Sequence, residues 1–260
     1  MKHRKQTLSV AIAVYNEEAK LEKCLMSVKR LADEIIIVDG GSSDKTVAIA
    51  KKHTPHVVKT DNPPMFHINK QKAVDKATGD WVLQLDADER VTPRLSAEIR
   101  RVINESREEN GYWIPRKNYI CGVWMRYGGM YPDPVTRLFR NGKGEFPCKS
   151  VHEQIEISGK TGMLHEALVH QTYRSWDEYM KKADVYTTLT AQEMIATGTG
   201  NNPVTMVKYL FIKPASRFIS LYIRHKGMLD GWNGLLWALF SGMHFPMAYV
   251  KFLEMEGRGS

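Results

Sequence analysis

Cysteine is scarce in this chain of 260 residues. The three cysteines, Cys24, Cys121 and Cys148, lie far apart and form no CxxC pair. The sequence therefore indicates neither a zinc knuckle nor a disulfide framework. Such unpaired cysteines fit a reducing cytoplasm better than an oxidising compartment.

Two common nucleotide-binding motifs are also missing. No GxGxxG follows the first apolar segment, and no GxxxxGK[ST] occurs anywhere. Rossmann-type dinucleotide binding and P-loop phosphate binding are therefore disfavoured. A secretory signal peptide is not expected either, because the apolar run 8–14 is short and Asn16, Glu17 and Glu18 follow it without a cleavage-type site.

The composition that is present is typical of a folded, basic protein. Hydrophobic residues make up 43% of the chain and charged residues 25%, which argues against wholesale disorder. The formal net charge of +8 favours a polyanionic neighbour. Nucleic acid, an anionic membrane and a phosphorylated substrate all meet that description.

Apolar runs and helical patterns alternate through the first part of the chain. Strands are predicted at 8–14, 34–38, 56–60 and 81–85, and helices at 17–30, 45–52, 67–78 and 93–106. Strands that are apolar on both faces are typical of a parallel sheet covered by helices. We therefore expect an α/β domain.

The pattern changes beyond residue 110. Residues 111–170 predict short strands and long loops, including a strand at 151–157, and residues 175–196 predict a helix. The loop 198–203 predicts a boundary. We expect a main domain over 1–197, with halves at about 1–110 and 111–197, and C-terminal helices over 198–260.

Three predicted strands end in polar residues. Tyr15-Asn16-Glu17 follows the first strand, Asp39 ends the second, and Asp86-Ala87-Asp88 follows the fourth. The carboxyl ends of parallel strands share one edge of a sheet, where open α/β sheets bind ligands. We therefore expect these side chains to converge.

The residue types at these strand ends suit a nucleotide-diphosphate sugar. A D-x-D pair such as Asp86 and Asp88 can hold Mg²⁺ or Mn²⁺, which neutralises a leaving diphosphate. Asp39 can accept hydrogen bonds from a base or a ribose. The alternative for Asp86 and Asp88 is a solvated turn, and the alternative for Asp39 is a turn or helix-capping residue.

Several segments resemble family 2 glycosyltransferases of the GT-A fold. SVAIAVYNEE, DEIIIVDGGSSDKT and ATGDWVLQLDADE carry this resemblance. GGMYPDPVTRLFR and VHEQI resemble a branch that includes small bacterial glycosyltransferases of lipopolysaccharide core assembly. The resemblance implies a mixed, Rossmann-like α/β sheet flanked by helices, here followed by amphipathic C-terminal helices. It also implies inverting sugar transfer from a nucleotide sugar, with a divalent metal. No QxxRW motif occurs, which argues against a processive polysaccharide synthase.

The resemblance also implies roles for individual residues. Asp86 and Asp88 would form the metal motif, with Asp88 the more direct ligand and His170 a third ligand; a satisfied, half-buried histidine is the alternative for His170. Arg137 and Arg140 would face diphosphate oxygens, although their spacing on one strand favours only one of them. The expected nucleotide-sugar-binding set is Val14, Tyr15, Asn16, Glu17, Asp39, Gly41, Lys70, Asp86, Arg137 and Arg140.

Inverting transfer requires a general base that takes a proton from the acceptor hydroxyl. Family members often carry an acidic base near the end of the GT-A core, and Glu153 in VHEQ lies about there. Glu153 is therefore the first choice for the base and Asp133 in YPDP the second. The alternative for Glu153 is a solvent-facing strand residue.

Two C-terminal segments are apolar and aromatic. Residues 231–250 contain no Asp, Glu, Lys or Arg, but polar residues, proline and glycines interrupt them. Residues 204–224 carry an apolar face bordered by Lys208, Lys213, Arg217 and Arg224, which suits an interfacial helix on an anionic surface. We expect peripheral attachment to the cytoplasmic face of the cell membrane, close to a glycan or lipid-linked acceptor. Packing on the core or a homodimer interface is the alternative.

Two other functions compete with sugar transfer. A nucleotidyltransferase acting on sugar phosphates also uses paired carboxylates, but it requires a basic, glycine-rich loop where Tyr15-Asn16-Glu17 stands here. A non-enzymatic module that binds membranes or nucleic acid would show salt-sensitive binding without metal-dependent nucleotide affinity. No RNA- or DNA-binding motif occurs, so a nucleic-acid partner is not expected.

Overall fold

The computed structural model describes residues 4–63, 65–105, 108–148 and 154–257. Two compact units are present. The first unit comprises Met1–Arg116 and Asp133–His170, and the second comprises Lys117–Pro132 and Gln171–Ser260. The functional boundary expected at residue 198 stays a prediction. In the structure, residues 176–196 belong to the same compact unit as the C-terminal helices.

The described strands are short apart from those at the centre of the first unit. In chain order they are β1 Leu8–Val14, β2 Glu34–Asp39, β3 Val57–Lys59, β4 Trp81–Leu85, β5 Glu89–Arg90, β6 Gly111–Ile114, β7 Arg116–Ile120, β8 Val123–Trp124, β9 Val135–Arg140, β10 Gly144–Glu145, β11 Glu156–Ile157, β12 Thr161–Met163 and β13 Leu168–Tyr173. The described α-helices are α1 Leu21–Val28, α2 Thr46–Lys51, α3 His67–Asp75, α4 Pro93–Asn104, α5 Trp176–Ala196, α6 Pro203–Val207, α7 Lys213–Ile219 and α8 Gly231–Gly257.

The first unit is built on a seven-stranded mixed sheet. The strand order is β12-β6-β9-β4-β1-β2-β3. Strands β4, β1, β2 and β3 are parallel neighbours, whereas β9 runs antiparallel to both β4 and β6. The parallel α/β sheet expected from the apolar runs is confirmed, and β9 makes the sheet mixed.

Both faces of the central strands are covered, as their sequences predict. Leu8, Val10 and Ile12 of β1 belong to a cluster that includes buried residues of α1 and α4. Ala11 belongs to a second cluster that includes Ala73 of α3. Because successive side chains of a strand point to opposite faces, this division places helices on each side of the sheet.

Helix ends differ from their predicted positions by a few residues. The first helix begins at Leu21 rather than at residue 17, because the Glu17 carbonyl accepts the backbone N–H groups of Lys20 and Leu21 in a preceding turn. Helix α4 begins as predicted at Pro93, where Thr92 caps it by accepting the N–H of Leu95 at 3.1 Å. Of the strand expected at 151–157, residues 151–153 lie outside the described residues, and β11 forms its end.

The second unit is mainly helical. Helices α6 and α7 belong to one helical run, which π-helical turns continue at Lys208–Ile212 and Ser220–Arg224. A 3-10 turn, Gly227–Asp230, then leads into α8. Buried Ala191 and Met194 of α5 pack with Tyr249 and Phe252 of α8. In the part of the chain that the structure describes, no helix combines the length and the apolar character needed to cross a membrane.

Candidate active site

Three neighbouring parallel strands of the first unit end at one edge of the sheet. Strand β1 lies between β2 and β4, with Val14 opposite Asp39 and Ile12 opposite Leu85. The loops after all three strands, including the one that carries Asp86, therefore start at the same edge. The expected convergence of polar strand ends is confirmed.

The loops after β1 and β2 are tied together through Asn16. Its backbone N–H donates to Ser42 Oγ at 2.8 Å, and its side-chain Oδ1 accepts the N–H of Ser43 at 2.9 Å. Asn16 has φ +52, a left-handed conformation that asparagine tolerates better than most residues. Its amide thus shapes this edge directly, and a contact with nucleotide stays a prediction.

Asp39 organises its own loop. The side chain is buried, and its carboxylate accepts N–H groups from Gly41 at 3.2 Å and from Ser42 at 3.2 and 3.3 Å. Gly41 has φ +83, which glycine adopts without the steric cost of a Cβ. The turn interpretation of Asp39 therefore holds in this structure, and a role toward a base stays a prediction.

Asp86 is held between two cations. Its Oδ1 lies 2.5 Å from Lys70 Nζ, and its Oδ2 lies 2.6 Å from Arg137 Nη2. Burial acts to raise the pKa of Asp86, but the charges of Arg137 and Lys70 outweigh burial and hold that pKa well below its usual range. The carboxylate is therefore ionised and already balanced by protein cations.

Arg137 forms the centre of a buried ion network. Its guanidinium contacts Asp86, donates to Gln84 Oε1, and reaches Glu89 Oε1 from Nη2 at 3.0 Å and from Nε at 3.3 Å. Glu89 is 0% exposed and lies 3.8 Å from Arg116 Nη1. Burial acts to lower the pKa of Arg137, but the charges of Asp86 and Glu89 raise it above its ordinary value. A diphosphate contact by Arg137 would require an exchange of these internal partners.

The charged partners of Asp88 lie farther from it than those of Asp86. Its Oδ1 lies 3.6 Å from His170 Nε2, and its Oδ2 lies 3.9 Å from Lys20 Nζ. His170 reaches it because β13 pairs with β5, where His170 stands opposite Glu89. Burial raises the pKa of Asp88, but the hydrogen bond and charge of His170 and the charge of Lys20 lower it overall.

The side chains expected to bind a metal lie in two different environments. Within residues 4–63, 65–105, 108–148 and 154–257, no group of three His, Cys, Asp or Glu side chains forms a metal-binding cluster. Asp88 and His170 offer one carboxylate and one imidazole nitrogen, both of which suit Mn²⁺, whereas Asp86 faces cations. This donor set fits an ion that takes its other ligands from water and substrate phosphates, as Mg²⁺ often does.

A cleft of about 260 Å³ opens beside Asp86. His67 and Phe146 stack along it with their ring centroids 5.0 Å apart, and Lys70 Nζ lies 5.1 Å from the centroid of Phe66. The cleft is also lined by Arg116, Val135, Thr136, Arg137, Gln154 and Ile155. Aromatic walls with a few charged groups are typical of small-molecule sites.

Other predicted residues lie at different places. Val14 is buried, whereas Tyr15 is 47% exposed, and Glu17 forms an ion pair with Lys20 at 3.7 Å. Asp133 Oδ2 lies 2.6 Å from Arg116 Nη2. Glu153 lies outside the described residues.

The structure does not bring Arg140 to this edge. Strand β9 runs antiparallel to β4, so Arg140 pairs with Trp81 at the start of β4 while Arg137 points to its other end. Arg140 stacks on Trp81, 4.6 Å from the ring centroid, and donates to the carbonyl of Glu109. The prediction that Arg140 binds the nucleotide sugar is therefore wrong in this structure, and a diphosphate contact by Arg137 stays a prediction.

Sequence reasoning missed three charged or polar neighbours of the DAD turn, which we define as Asp86-Ala87-Asp88, and one arginine behind them. The neighbours are Lys20, Gln84 and Glu89, and Arg116 lies 3.8 Å from Glu89. Gln84 carried a signal, because a glutamine inside the otherwise apolar strand WVLQL needs a buried partner. Lys20 and Arg116 gave no such signal in the sequence, because only folding brings them near the turn.

Comparison with known proteins identifies the family. The model described as Glycosyl transferase family 2 matches residues 9–170, more than half of the chain. The chain belongs to glycosyl transferase family 2. A lipopolysaccharide core biosynthesis glycosyltransferase, LpsC of Rhizobium meliloti (strain 1021), is 30% identical over 260 residues, which cover 96% of this chain and 93% of LpsC. An uncharacterized glycosyltransferase of Rickettsia conorii is 26% identical over 205 residues, which cover 74% of this chain and 72% of that protein.

Solved structures place this family 2 chain in the expected fold. The mannosyltransferase PcManGT from Pyrobaculum calidifontis, solved in complex with GDP-Man and Mn²⁺, superposes with a TM-score of 0.57 at 14% identity. The match covers 96% of this chain and 88% of that one. At this identity the likeness shows the fold alone. The GT-A architecture and the membership of family 2 expected from the sequence are both confirmed.

Proposed function

We propose that this family 2 enzyme is an inverting glycosyltransferase that uses a nucleotide-diphosphate sugar, most simply a UDP-sugar. The acceptor is a hydroxyl group of a glycan or lipid-linked molecule at the cytoplasmic face of the cell membrane. The relative LpsC, named for lipopolysaccharide core biosynthesis, supports an acceptor of the cell envelope. Mg²⁺ or Mn²⁺ serves as cofactor.

The meeting of Asn16, Asp39 and the DAD turn at the ends of three parallel strands carries this proposal. In open α/β sheets this edge is where ligands bind. The acidic groups are separated along the edge, so a base or ribose near Asp39 and a diphosphate near the DAD turn can be held at once. The cleft beside Asp86 offers aromatic surface for the sugar.

Asp88 and His170 are the residues proposed to hold the divalent cation. They lie 3.6 Å apart, and Lys20 Nζ lies 3.9 Å from the other carboxylate oxygen of Asp88, farther than the cations that hold Asp86 at 2.5 and 2.6 Å. The ion supplies positive charge that stabilises the departing nucleoside diphosphate. Lys70 lines the cleft and is the protein cation that we assign to add to that charge, because its ammonium group already binds one anionic oxygen there, Asp86 Oδ1 at 2.5 Å.

Glu153 remains the first choice for the general base and Asp133 the second. One carboxylate oxygen of Asp133 is committed to Arg116 at 2.6 Å, which favours Glu153. The base removes the proton of the acceptor hydroxyl as that oxygen attacks the anomeric carbon, and the bond to the nucleoside diphosphate breaks. The acceptor oxygen attacks from the face opposite the leaving group, so the anomeric configuration inverts.

Calorimetric titration tests the site. UDP and GDP would each be titrated into the protein with and without Mn²⁺, and then into Asp88→Asn. We expect one nucleotide to bind in a Mn²⁺-dependent manner and the variant to lose at least about tenfold in that affinity, since even residues behind a metal ligand contribute about 10–100-fold. Asp75→Asn is the matched control, because Asp75 is exposed and lies at the end of α3.

Two results would contradict the proposal. Equal Mn²⁺-dependent affinity in the parent and in Asp88→Asn would remove Asp88 from the metal site. Release of pyrophosphate rather than nucleoside diphosphate during turnover would indicate a nucleotidyltransferase instead.

A further inference from the structure

The junction between the last two helical segments of the second unit exposes large apolar side chains. Met228 and Leu229 in the 3-10 turn are 47% and 58% exposed, and Trp232 at the start of α8 is 71% exposed. Single exposed apolar residues are common, but a contiguous group that includes a tryptophan marks a contact surface. We call Met228, Leu229 and Trp232 the junction tip.

The exposed apolar surface continues along α8. Its exposed members recur at spacings of seven, four, seven and three residues, which places them on one helix face. They are Trp232, Leu239, Met243, Val250 and Leu253. The buried residues of the same helix fall on the other side and are Gly234, Ala238, Gly242, Ala248, Tyr249 and Phe252. Helix α8 therefore has two apolar faces, of which its own unit covers one.

The junction tip is held rigidly rather than left loose. The carboxylate of Asp230 accepts the backbone N–H groups of Arg126 at 3.1 Å and Tyr127 at 2.8 Å. The His225 carbonyl accepts the N–H of Gly128 at 2.9 Å. A Cβ at Gly234 would lie 1.8 Å from the Gly227 carbonyl oxygen, so only glycine allows this approach. Hydrogen bonds and close packing thus fix an apolar turn in an exposed position.

Cations outnumber acidic residues in the stretch that carries this surface, although Lys251 is paired with Asp184 of α5 at 2.7 Å. Across residues 203–253 the acidic residue is Asp230, whose carboxylate is occupied by backbone donors. The cations of the same stretch are Lys208, Lys213, Arg217, Arg224, Lys226 and Lys251. Arg224 and Lys226 are exposed beside the junction tip, and neither forms an ion pair with another described residue.

We infer that the junction tip and the exposed stripe of α8 dock on an anionic lipid bilayer. The apolar side chains, with Trp232 among them, suit the acyl layer of such a surface. The unpaired cations Arg224 and Lys226 at their border suit its anionic headgroups. A second copy of the chain fits less well, because a symmetric contact would bring the same cations against one another. This inference deepens the proposed function, since it names the surface through which the enzyme meets a lipid-linked acceptor.

Vesicle co-sedimentation of the full chain tests the inference. Vesicles of phosphatidylcholine with phosphatidylglycerol would be compared with vesicles of phosphatidylcholine alone. We expect binding to the anionic vesicles that weakens with salt. Trp232→Ala should lower the partition coefficient about tenfold. Arg224→Glu with Lys226→Glu should lower it at least about 25-fold, because each cation near the surface contributes about fivefold.

Matched controls separate this surface from general effects. Met163→Ser removes a 52% exposed methionine from the first unit, and Lys23→Glu with Lys52→Glu reverses two exposed cations there. Both controls should bind vesicles within about twofold of the parent, given the short range of the surface potential. Met228→Ser with Leu229→Ser gives an independent disruption of the tip, should Trp232→Ala fold poorly.

Three outcomes would overturn the inference. They are absence of binding by the parent, unchanged binding by all three junction variants, and a Trp232→Ala variant that changes self-association in analytical ultracentrifugation instead of vesicle binding. Asp88→Asn should bind vesicles like the parent. If the chain binds nucleotide but not vesicles, the docking inference is wrong and the proposed sugar transfer is unaffected. If it binds vesicles but no nucleotide, the proposed sugar transfer is wrong and the docking inference is unaffected.

Discussion

Replacing Arg137 with methionine should destabilise the first unit strongly, because Arg137 is the shared partner of the buried Glu89 and the half-buried Asp86. Methionine keeps much of the length of the side chain and removes only the charge and the donors. Glu89 would keep Arg116 at 3.8 Å, and Asp86 would keep Lys70 at 2.5 Å. Breaking a buried ion pair from one side costs about 3–5 kcal/mol, and these surviving partners place the expected loss near about 3 kcal/mol.

The size of this loss should depend on pH in a defined direction. In the parent, the pKa of Asp86 is held well below its usual range, so the stability that its ionised form contributes is complete above the unfolded pKa of about 4 and is lost only as pH falls through the lower folded value. In Arg137→Met, the less compensated carboxylate of Asp86 binds a proton more readily in the folded state. The variant should therefore regain part of its deficit as pH falls from about 7.5 to about 4.5.

Thermal unfolding followed by circular dichroism measures both effects. A loss of about 3 kcal/mol corresponds to a fall in Tm of about 6–12 °C for a chain of this size near about pH 7.5, and to a smaller fall near about pH 4.5. Arg140→Met is the control, since Arg140 lies on the same strand, stacks on the Trp81 ring and donates to the Glu109 carbonyl. Equal Tm losses in the two variants, or a gap between parent and Arg137→Met that does not narrow at the lower pH, would refute the role given to the network.

Three further substitutions test separate parts of the fold. Thr92→Ala removes the cap of α4 and should cost about 1 kcal/mol in urea unfolding, with nucleotide binding unchanged; an unchanged midpoint would show that the cap contributes nothing. Gly41→Ala places a Cβ on a residue with φ +83 and should lower the free energy of unfolding by about 1–2 kcal/mol. It should also weaken Mn²⁺-dependent nucleotide binding, because Gly41 lies in the Asp39 loop. An affinity equal to that of the parent in calorimetry would show that this loop is not part of the site. Leu25→Ala opens a cavity in the main core and should cost about 2–5 kcal/mol in the same unfolding assay, and a loss below about 1 kcal/mol would contradict its burial.

Much of the fold of the first unit could be predicted because its strands are buried on both faces. Runs such as LSVAIAV and EIIIV leave few alternatives to a central parallel strand, and the structure has them as β1 and β2. The order of the strands in the sheet could not be predicted in the same way. The antiparallel insertion of β9 depends on contacts between residues about fifty positions apart, such as Leu83 with Leu138, which no local pattern encodes.

The candidate site was only partly predictable for a related reason. Polar residues at strand ends could be placed together, because parallel strands bring their ends to one edge. Their partners could not, because Lys70 and Arg137 come from a helix and from an antiparallel strand. The sequence predicts a shared metal motif for Asp86 and Asp88, whereas folding supplies cations for Asp86 and a histidine for Asp88.

This difference in partners separates the two carboxylates of the DAD turn. A divalent cation approaching Asp86 would meet Lys70 and Arg137 at 2.5 and 2.6 Å from its oxygens, and like charges at that distance oppose binding. A cation approaching Asp88 would meet the imidazole of His170, which can act as a ligand, and a lysine that is 3.9 Å away. The network around Asp86, with Glu89 bound to the backbone N–H of Asp86 at 3.0 Å, fixes the turn from the inside. Asp86 therefore anchors the turn, and Asp88 is the carboxylate that we propose for the metal, so the two aspartates of the D-x-D motif differ in their expected roles.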